Sequence, residues 1–162
     1  MFQKKDKGFT LIELLVVIAI IGLLASIVLV SLNSARKKAR NAKRSSDITQ
    51  LQLAFNMAYD NNGSFPSPGS YPYVCVSSSC YGGWSSFVAS ATVDAALEPF
   101  IKKTDDPSDS TRGYGGYLYL NPYNGGIYLN WLTEPPNTTG ICGPGYVLNE
   151  TANYVQCLLK LD

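Results

Sequence analysis

The sequence predicts an α+β fold: a long N-terminal α-helix, membrane-spanning in its first half, packs its second half on a small antiparallel β-sheet head. Three observations carry this. Leu14 to Val30 is seventeen positions without a charge, and Phe9 to Ile12 with Ser31 and Leu32 extend it to a length that crosses a bilayer. Beyond Leu32 there is no proline before Pro66 and no glycine before Gly63, while Ile48, Leu51, Phe55 and Ala58 recur at helical spacing. Toward the C-terminus, runs of aromatic and β-branched residues alternate with turn-forming stretches.

Composition narrows the function classes. The 162 residues suit one domain plus an appendage, and 46% hydrophobic with 15% charged residues is ordinary for a folded chain. The net charge of +1 conceals an asymmetry, because nine of the thirteen basic residues lie at or before Arg44. From Ser45 onward four basic residues face ten acids, a net charge of −6, which disfavours nucleic acid as a partner of the head.

In chain order, Lys4, Lys5 and Lys7 form a basic region ahead of the apolar run, as a secretory signal would. The run is longer than the apolar core of such a signal, no small-x-small cleavage site follows it, and Glu13 sits in its first turns. A charged side chain in a bilayer segment costs about 2.5–3.5 kcal/mol on insertion scales, so Glu13 requires a partner. Cutting after Gly8 would supply one, a new amine at Phe9 one helical turn away or on a neighbouring subunit.

Lys7-Gly8-Phe9-Thr10-Leu11-Ile12-Glu13, followed by Leu14-Leu15-Val16-Val17-Ile18, resembles the class III signal of type IV pilins and type II secretion pseudopilins. The resemblance runs to about Tyr59 and persists beyond it only as pattern. It implies that a prepilin peptidase cuts the Gly8–Phe9 bond and methylates Phe9, and that Glu13 sets the register between stacked subunits. It implies a leader over 1–8, a transmembrane and filament-core helix over 9–32, an amphipathic continuation over 33–60, and a pilin-like head over 61–162. The partners implied are further copies of the chain in a helical filament, the peptidase, the pilus or secretion assembly machinery, and the cytoplasmic membrane before assembly. The precursor is then a single-pass membrane protein with its head outside, and the assembled form a surface filament. Many relatives carry a proline in the second half of this helix, where the present chain reads Ile27-Val28-Leu29-Val30. Gly22 is then either the weak point of the helix or a small residue that lets neighbouring helices approach.

Arg36, Lys37, Lys38, Arg40, Lys43 and Arg44 follow as a dense basic run. It reads as a solvated face, as a contact for acidic heads or anionic lipid, or as a DNA contact. Six cations after the apolar run against three before it oppose an outside head by the positive-inside rule. The leader motif and the cysteines outweigh that rule here. Asn61-Asn62-Gly63 supplies the helix stop.

In the head, Ser64 to Tyr81 reads as a loop stapled by cysteines, and Val93, Leu97, Phe100 and Ile101 as a short helix limited by Pro99. Tyr117 to Leu120 with Ile127 to Leu132, and Tyr146 to Leu148 with Tyr154 to Leu158, read as two hairpins, a sheet of about four strands. Cys75, Cys80, Cys142 and Cys157 all lie beyond the apolar run, an even number that suits an oxidising compartment. Of three possible pairings, Cys75 with Cys80 and Cys142 with Cys157 close short loops the remaining chain need not cross. A zinc site is disfavoured, since there is no C-x-x-C and no histidine.

The chain shows no nucleophile elbow and no phosphate loop, and it is read as a non-enzyme without cofactor. Asp105, Asp106 and Asp109 are a candidate calcium turn outside the EF-hand pattern, with a solvated acidic turn as the alternative. Trp84 and Trp131 are candidates for stacking on sugar rings or for core and interface packing. Asn62-Gly63-Ser64, Asn137-Thr138-Thr139 and Asn149-Glu150-Thr151 match the glycosylation sequon. The function expected from the resemblance is a structural filament subunit. The alternatives are a pseudopilin of a type II secretion system, or a minor subunit acting as a tip adhesin or DNA-uptake protein.

Overall fold

A computed structural model describes residues 8–81, 87–107, 115–136 and 139–162. Lys4, Lys5, Lys7, Trp84, Asp109, Asn137 and Thr138 lie outside the described residues. Two compact units are distinguished, residues 1–38 and 39–162.

Helix α1 spans Leu11–Asn62 without interruption, so Gly22 does not unwind it. Ser26 Oγ donates to the Leu23 carbonyl at 2.7 Å, satisfying its hydroxyl within the helix. In the first unit, seventeen large apolar side chains between Phe9 and Leu32 are exposed, a surface far larger than water covers on a soluble monomer. The helix ends as the Asn-Asn-Gly stretch predicts. Gly63 takes the left-handed conformation (φ 71°), and its N–H reaches the Tyr59 carbonyl at 2.7 Å.

In the second unit the later turns of α1 bury Arg44, Asp47, Ile48, Leu51, Ala54, Phe55 and Ala58, the recurring three-and-four spacing of one helix face. That face lies on a five-stranded antiparallel sheet built from β1 (Tyr73–Cys75), β2 (Leu118–Tyr123), β3 (Gly126–Thr133), β4 (Tyr146–Glu150) and β5 (Val155–Lys160). The strand order is β1-β2-β3-β5-β4. Alternation along β2 and β3 turns Tyr117, Tyr119, Leu129 and Trp131 toward the helix. Phe55 stacks on Tyr119 with ring centroids 4.3 Å apart, and the Tyr119 hydroxyl donates to the Pro66 carbonyl.

The structure has one strand more than the four expected. The addition is β1, three residues in the serine- and proline-rich stretch read as loop, paired to β2 from Tyr73↔Leu120 to Cys75↔Leu118. Three residues are too few for a two-residue periodicity to show in sequence. β2 also runs past Leu120 to Tyr123 through a register shift, and the hairpin closes on Asn124 and Gly125, both at positive φ, as a two-residue turn of that type requires. The short helix α2 (Ala91–Leu97) is capped by Ser90, whose hydroxyl accepts from Val93 N–H, and it buries Val93 and Leu97.

Candidate functional site

The predicted processing and assembly residues lie just before α1 and in its first turn. Gly8, Phe9 and Thr10 precede the helix in non-helical, exposed backbone, so the Gly8–Phe9 bond stands outside the helical hydrogen-bond ladder. Thr10 caps the helix, and Glu13 occupies the third position after the cap. Thr10 N–H and Oγ1 both donate to Glu13 Oε2, at 2.8 and 2.7 Å, while Glu13 N–H points back to Thr10 Oγ1 at 3.3 Å. This is a capping box, in which threonine and glutamate satisfy each other's orphan groups.

The capping box revises the reading of Glu13 as a carboxylate without a partner short of a new amine. Thr10 supplies two donors to one of its oxygens within the same chain. The Thr-x-x-Glu spacing that signals it is legible in Thr10-Leu11-Ile12-Glu13.

The basic run divides. Arg36, Lys37 and Lys38 are exposed. The next three cations are engaged inside the second unit. Arg40 grips Glu134 with Nε and Nη2, at 2.5 and 2.6 Å. Arg44 is fully buried, with Nε 2.7 Å from Asp106 Oδ1 and Nη1 3.3 Å from Glu134 Oε1. Asn41 completes the clamp, donating from Nδ2 to the Glu134 carbonyl and accepting the Glu134 N–H at Oδ1. Lys43 bonds Asp47 at 2.7 Å, and Asp47 accepts the Tyr117 hydroxyl at 2.7 Å. Burial, with Asp47 as hydrogen-bond acceptor and negative neighbour, pushes the Tyr117 hydroxyl well above the usual tyrosine range. Arg40 and Arg44 therefore tie the helix to its own head, whereas Lys43, its side chain 49% exposed, pairs with Asp47 on the helix itself. Sequence spacing cannot reveal this, because their acids lie 62 to 94 residues away except for Asp47.

The same network bears on the candidate calcium turn. Both Asp106 oxygens are taken, Oδ1 by Arg44 and Oδ2 by the Gly116 N–H at 2.8 Å. Asp105 contributes its backbone carbonyl to Lys43. A guanidinium thus holds Asp106 where a divalent cation would need it, and Asp109 lies outside the described residues. Among those residues no group of three or more histidine, cysteine, aspartate or glutamate side chains is placed to share a metal ion.

Of the two tryptophans, Trp131 is only 1% exposed and belongs to the core, so it offers no face for stacking on a sugar. The cysteines are joined locally, Cys75 to Cys80 and Cys142 to Cys157, with Cα atoms 5.8 and 5.5 Å apart. Gly116, at φ 99°, runs beside the first bridge, where a Cβ would come within 2.6 Å of the Ser79 carbonyl. Only glycine fits there.

Residues 3–29 match the family of the prokaryotic N-terminal methylation motif. The chain is 30% identical over 120 residues to the type II secretion system core protein G of Vibrio cholerae serotype O1, covering 74% of this chain and 65% of that protein. It is 44% identical over 63 residues to the core protein G of Escherichia coli K12, covering 39% of this chain and 43% of that protein. It is also 41% identical over 65 residues to the type IV wide pilus major component PilA4 of Thermus thermophilus, covering 40% and 50%. The chain thus spans between two fifths and two thirds of the length of these relatives. No solved structure matches.

Proposed function

With an N-terminus of the type IV pilin and pseudopilin family, this chain is, we propose, a structural subunit of a type IV pilus-like extracellular filament. One observation carries the reading. A helix with sixteen exposed large apolar side chains up to Leu32 begins three residues after Gly8 with a Thr10–Glu13 cap, inside the region that matches the methylation motif. Such a surface is tolerated in lipid or against copies of itself, and in water in neither case.

In this proposal the precursor waits in the cytoplasmic membrane with its head outside. A prepilin peptidase cuts Gly8–Phe9, reaching the bond because it precedes the helix, and Phe9 becomes the methylated N-terminus. The helix then leaves the bilayer and packs against others, with Glu13 setting the register. In the filament core the attraction between this carboxylate and a neighbour's Phe9 amine is strengthened by low dielectric, and offsets that leave either group unpaired are penalised. The head, joined to α1 by Arg40, Arg44 and Glu134, rides on the helix as it moves.

A second reading is a pseudopilin of a type II secretion system. It is favoured by the match to the Vibrio cholerae core protein G, which at 120 residues must extend into the head. Electron microscopy of sheared surface filaments, with intact mass of their protein, tests the proposal. A chain beginning at Phe9 with one added methyl group is expected. Filament protein that starts at Met1 or beyond Ser34 refutes the maturation step. Absence of the chain from surface filaments, with loss of protein export on its deletion, would select the pseudopilin instead.

A further inference from the structure

Three cations of the basic run remain without an ion pair among the described residues. Arg36, Lys37 and Lys38 are exposed, while the next three, Arg40, Lys43 and Arg44, are held by Glu134, Asp47 and Asp106. Consecutive residues are rotated by about 100° on a helix, so these three side chains fan over more than half of its circumference. They form a collar and not a stripe, which suits a surface that surrounds the helix.

Their place along α1 decides what that surface is. Leu11 to Leu32 rises about 33 Å, enough to cross a hydrocarbon layer of about 30 Å. Arg36 begins about 6 Å further on, at the depth of the phosphates, and long basic side chains keep their stems on apolar surface while their heads reach the polar layer. An acidic protein face would have to gather carboxylates to meet such a collar. The exposed acids among the described residues of the head, Asp60, Glu98, Asp105, Glu150 and Asp162, belong to five different segments.

We propose that Arg36, Lys37 and Lys38 bind the headgroups of anionic phospholipids in the leaflet on the head side, and so hold the unassembled subunit at a fixed depth. This rests on the part of the preceding reading that puts residues 9–32 in a bilayer. The collar's charge is exposed, whereas Arg40 and Arg44 behind it are neutralised by Glu134 and Asp106, and Lys43 by Asp47.

The full-length chain, reconstituted in bilayers of phosphatidylcholine with phosphatidylglycerol, tests this with spin-labelled lipids. The fraction of each label that is motionally restricted gives its relative association with the protein. Attraction to an anionic surface is worth a factor of about five per cation, so a clear preference for phosphatidylglycerol is expected, weakened by high salt. In a chain whose leader lysines are also replaced (K4Q/K5Q/K7Q), the added triple variant R36Q/K37Q/K38Q should associate with both lipids equally. Lys102→Gln, on the head, should keep the parent's preference. These exposed substitutions leave the core untouched, which formation of both disulfides verifies.

Equal association of the two lipids with the chain carrying K4Q/K5Q/K7Q alone would overturn the proposal, as would a preference that survives when R36Q/K37Q/K38Q is added to it. Loss of filaments by a triple variant with unaltered lipid preference would assign the collar to an acidic face of a second subunit instead. The lipid measurement uses uncut, unassembled protein. A chain that prefers anionic lipid yet is never cut at Gly8–Phe9 keeps this inference and loses the filament reading, and the reverse result does the opposite.

Discussion

Replacing Arg44 by methionine removes the one fully buried cation among the described residues of the head while keeping most of the side chain's apolar volume. Its loss leaves Asp106, whose side chain is 4% exposed, with a single donor, the Gly116 N–H. Glu134 is not orphaned, because Arg40 still holds both of its oxygens. Breaking a buried pair by removing one partner costs about 3–5 kcal/mol, and the intact Arg40–Glu134 pair argues for the low end, about 3 kcal/mol. With a urea slope of about 2 kcal/mol per molar, the unfolding midpoint of the head should fall by about 1.5 M. The full chain in detergent, followed by the fluorescence of buried Trp131, provides the assay. Adding Asp106→Asn should recover half or more of the loss, since an amide keeps the Gly116 bond without a buried charge. Arg40→Met, at a side chain 28% exposed, should cost less than Arg44→Met. A midpoint for Arg44→Met within about 0.5 M of the parent, roughly 1 kcal/mol, or a double variant no better than the single, would refute the argument from an uncompensated carboxylate.

Three further outcomes are expected. Removing the Cys142–Cys157 bridge, which spans 15 residues, should destabilise the head by about 3 kcal/mol, and removing Cys75–Cys80, which spans 5, by less; denaturant midpoints of the serine pairs give the ranking. Glu13→Gln keeps the capping bond from Thr10 but not the charge, so processed, membrane-held subunit in normal amount without ordered filaments is expected, and normal filaments would show that capping alone is what Glu13 supplies. Because the Tyr117 hydroxyl is held neutral in the folded head, its stabilising effect is complete below about pH 10 and declines above it, by up to about 1.4 kcal/mol per pH unit, as the unfolded chain ionises first. Tyr117→Phe should flatten that alkaline loss, and an unchanged slope in pH-dependent urea melts would contradict it.

The long helix, its stop at Gly63, and the two hairpins were readable because each depends on neighbours in sequence. Apolar length, three-and-four spacing and asparagine-glycine turns are local signals. Short β1 was not readable, since three residues carry no period. Its strand identity comes from β2 lying beside it. The cap at Glu13 is also a local signal, carried by its three-residue distance from Thr10 and not by its charge.

By itself, then, the sequence determined the membrane-length helix, the motif around Gly8 and Phe9, and the class of the head, all set by patterns within one or two helical turns or strands. Only the tertiary structure decided which cations are free. Arg36 to Arg44 are equivalent in composition and differ in what lies opposite them after folding. Glu134 and Asp106 come from distant loops to meet Arg40 and Arg44, and a buried charge persists only where such partners converge. Chain connectivity carries no record of that convergence, so the division of one basic run into a clamp and a collar belongs to the fold.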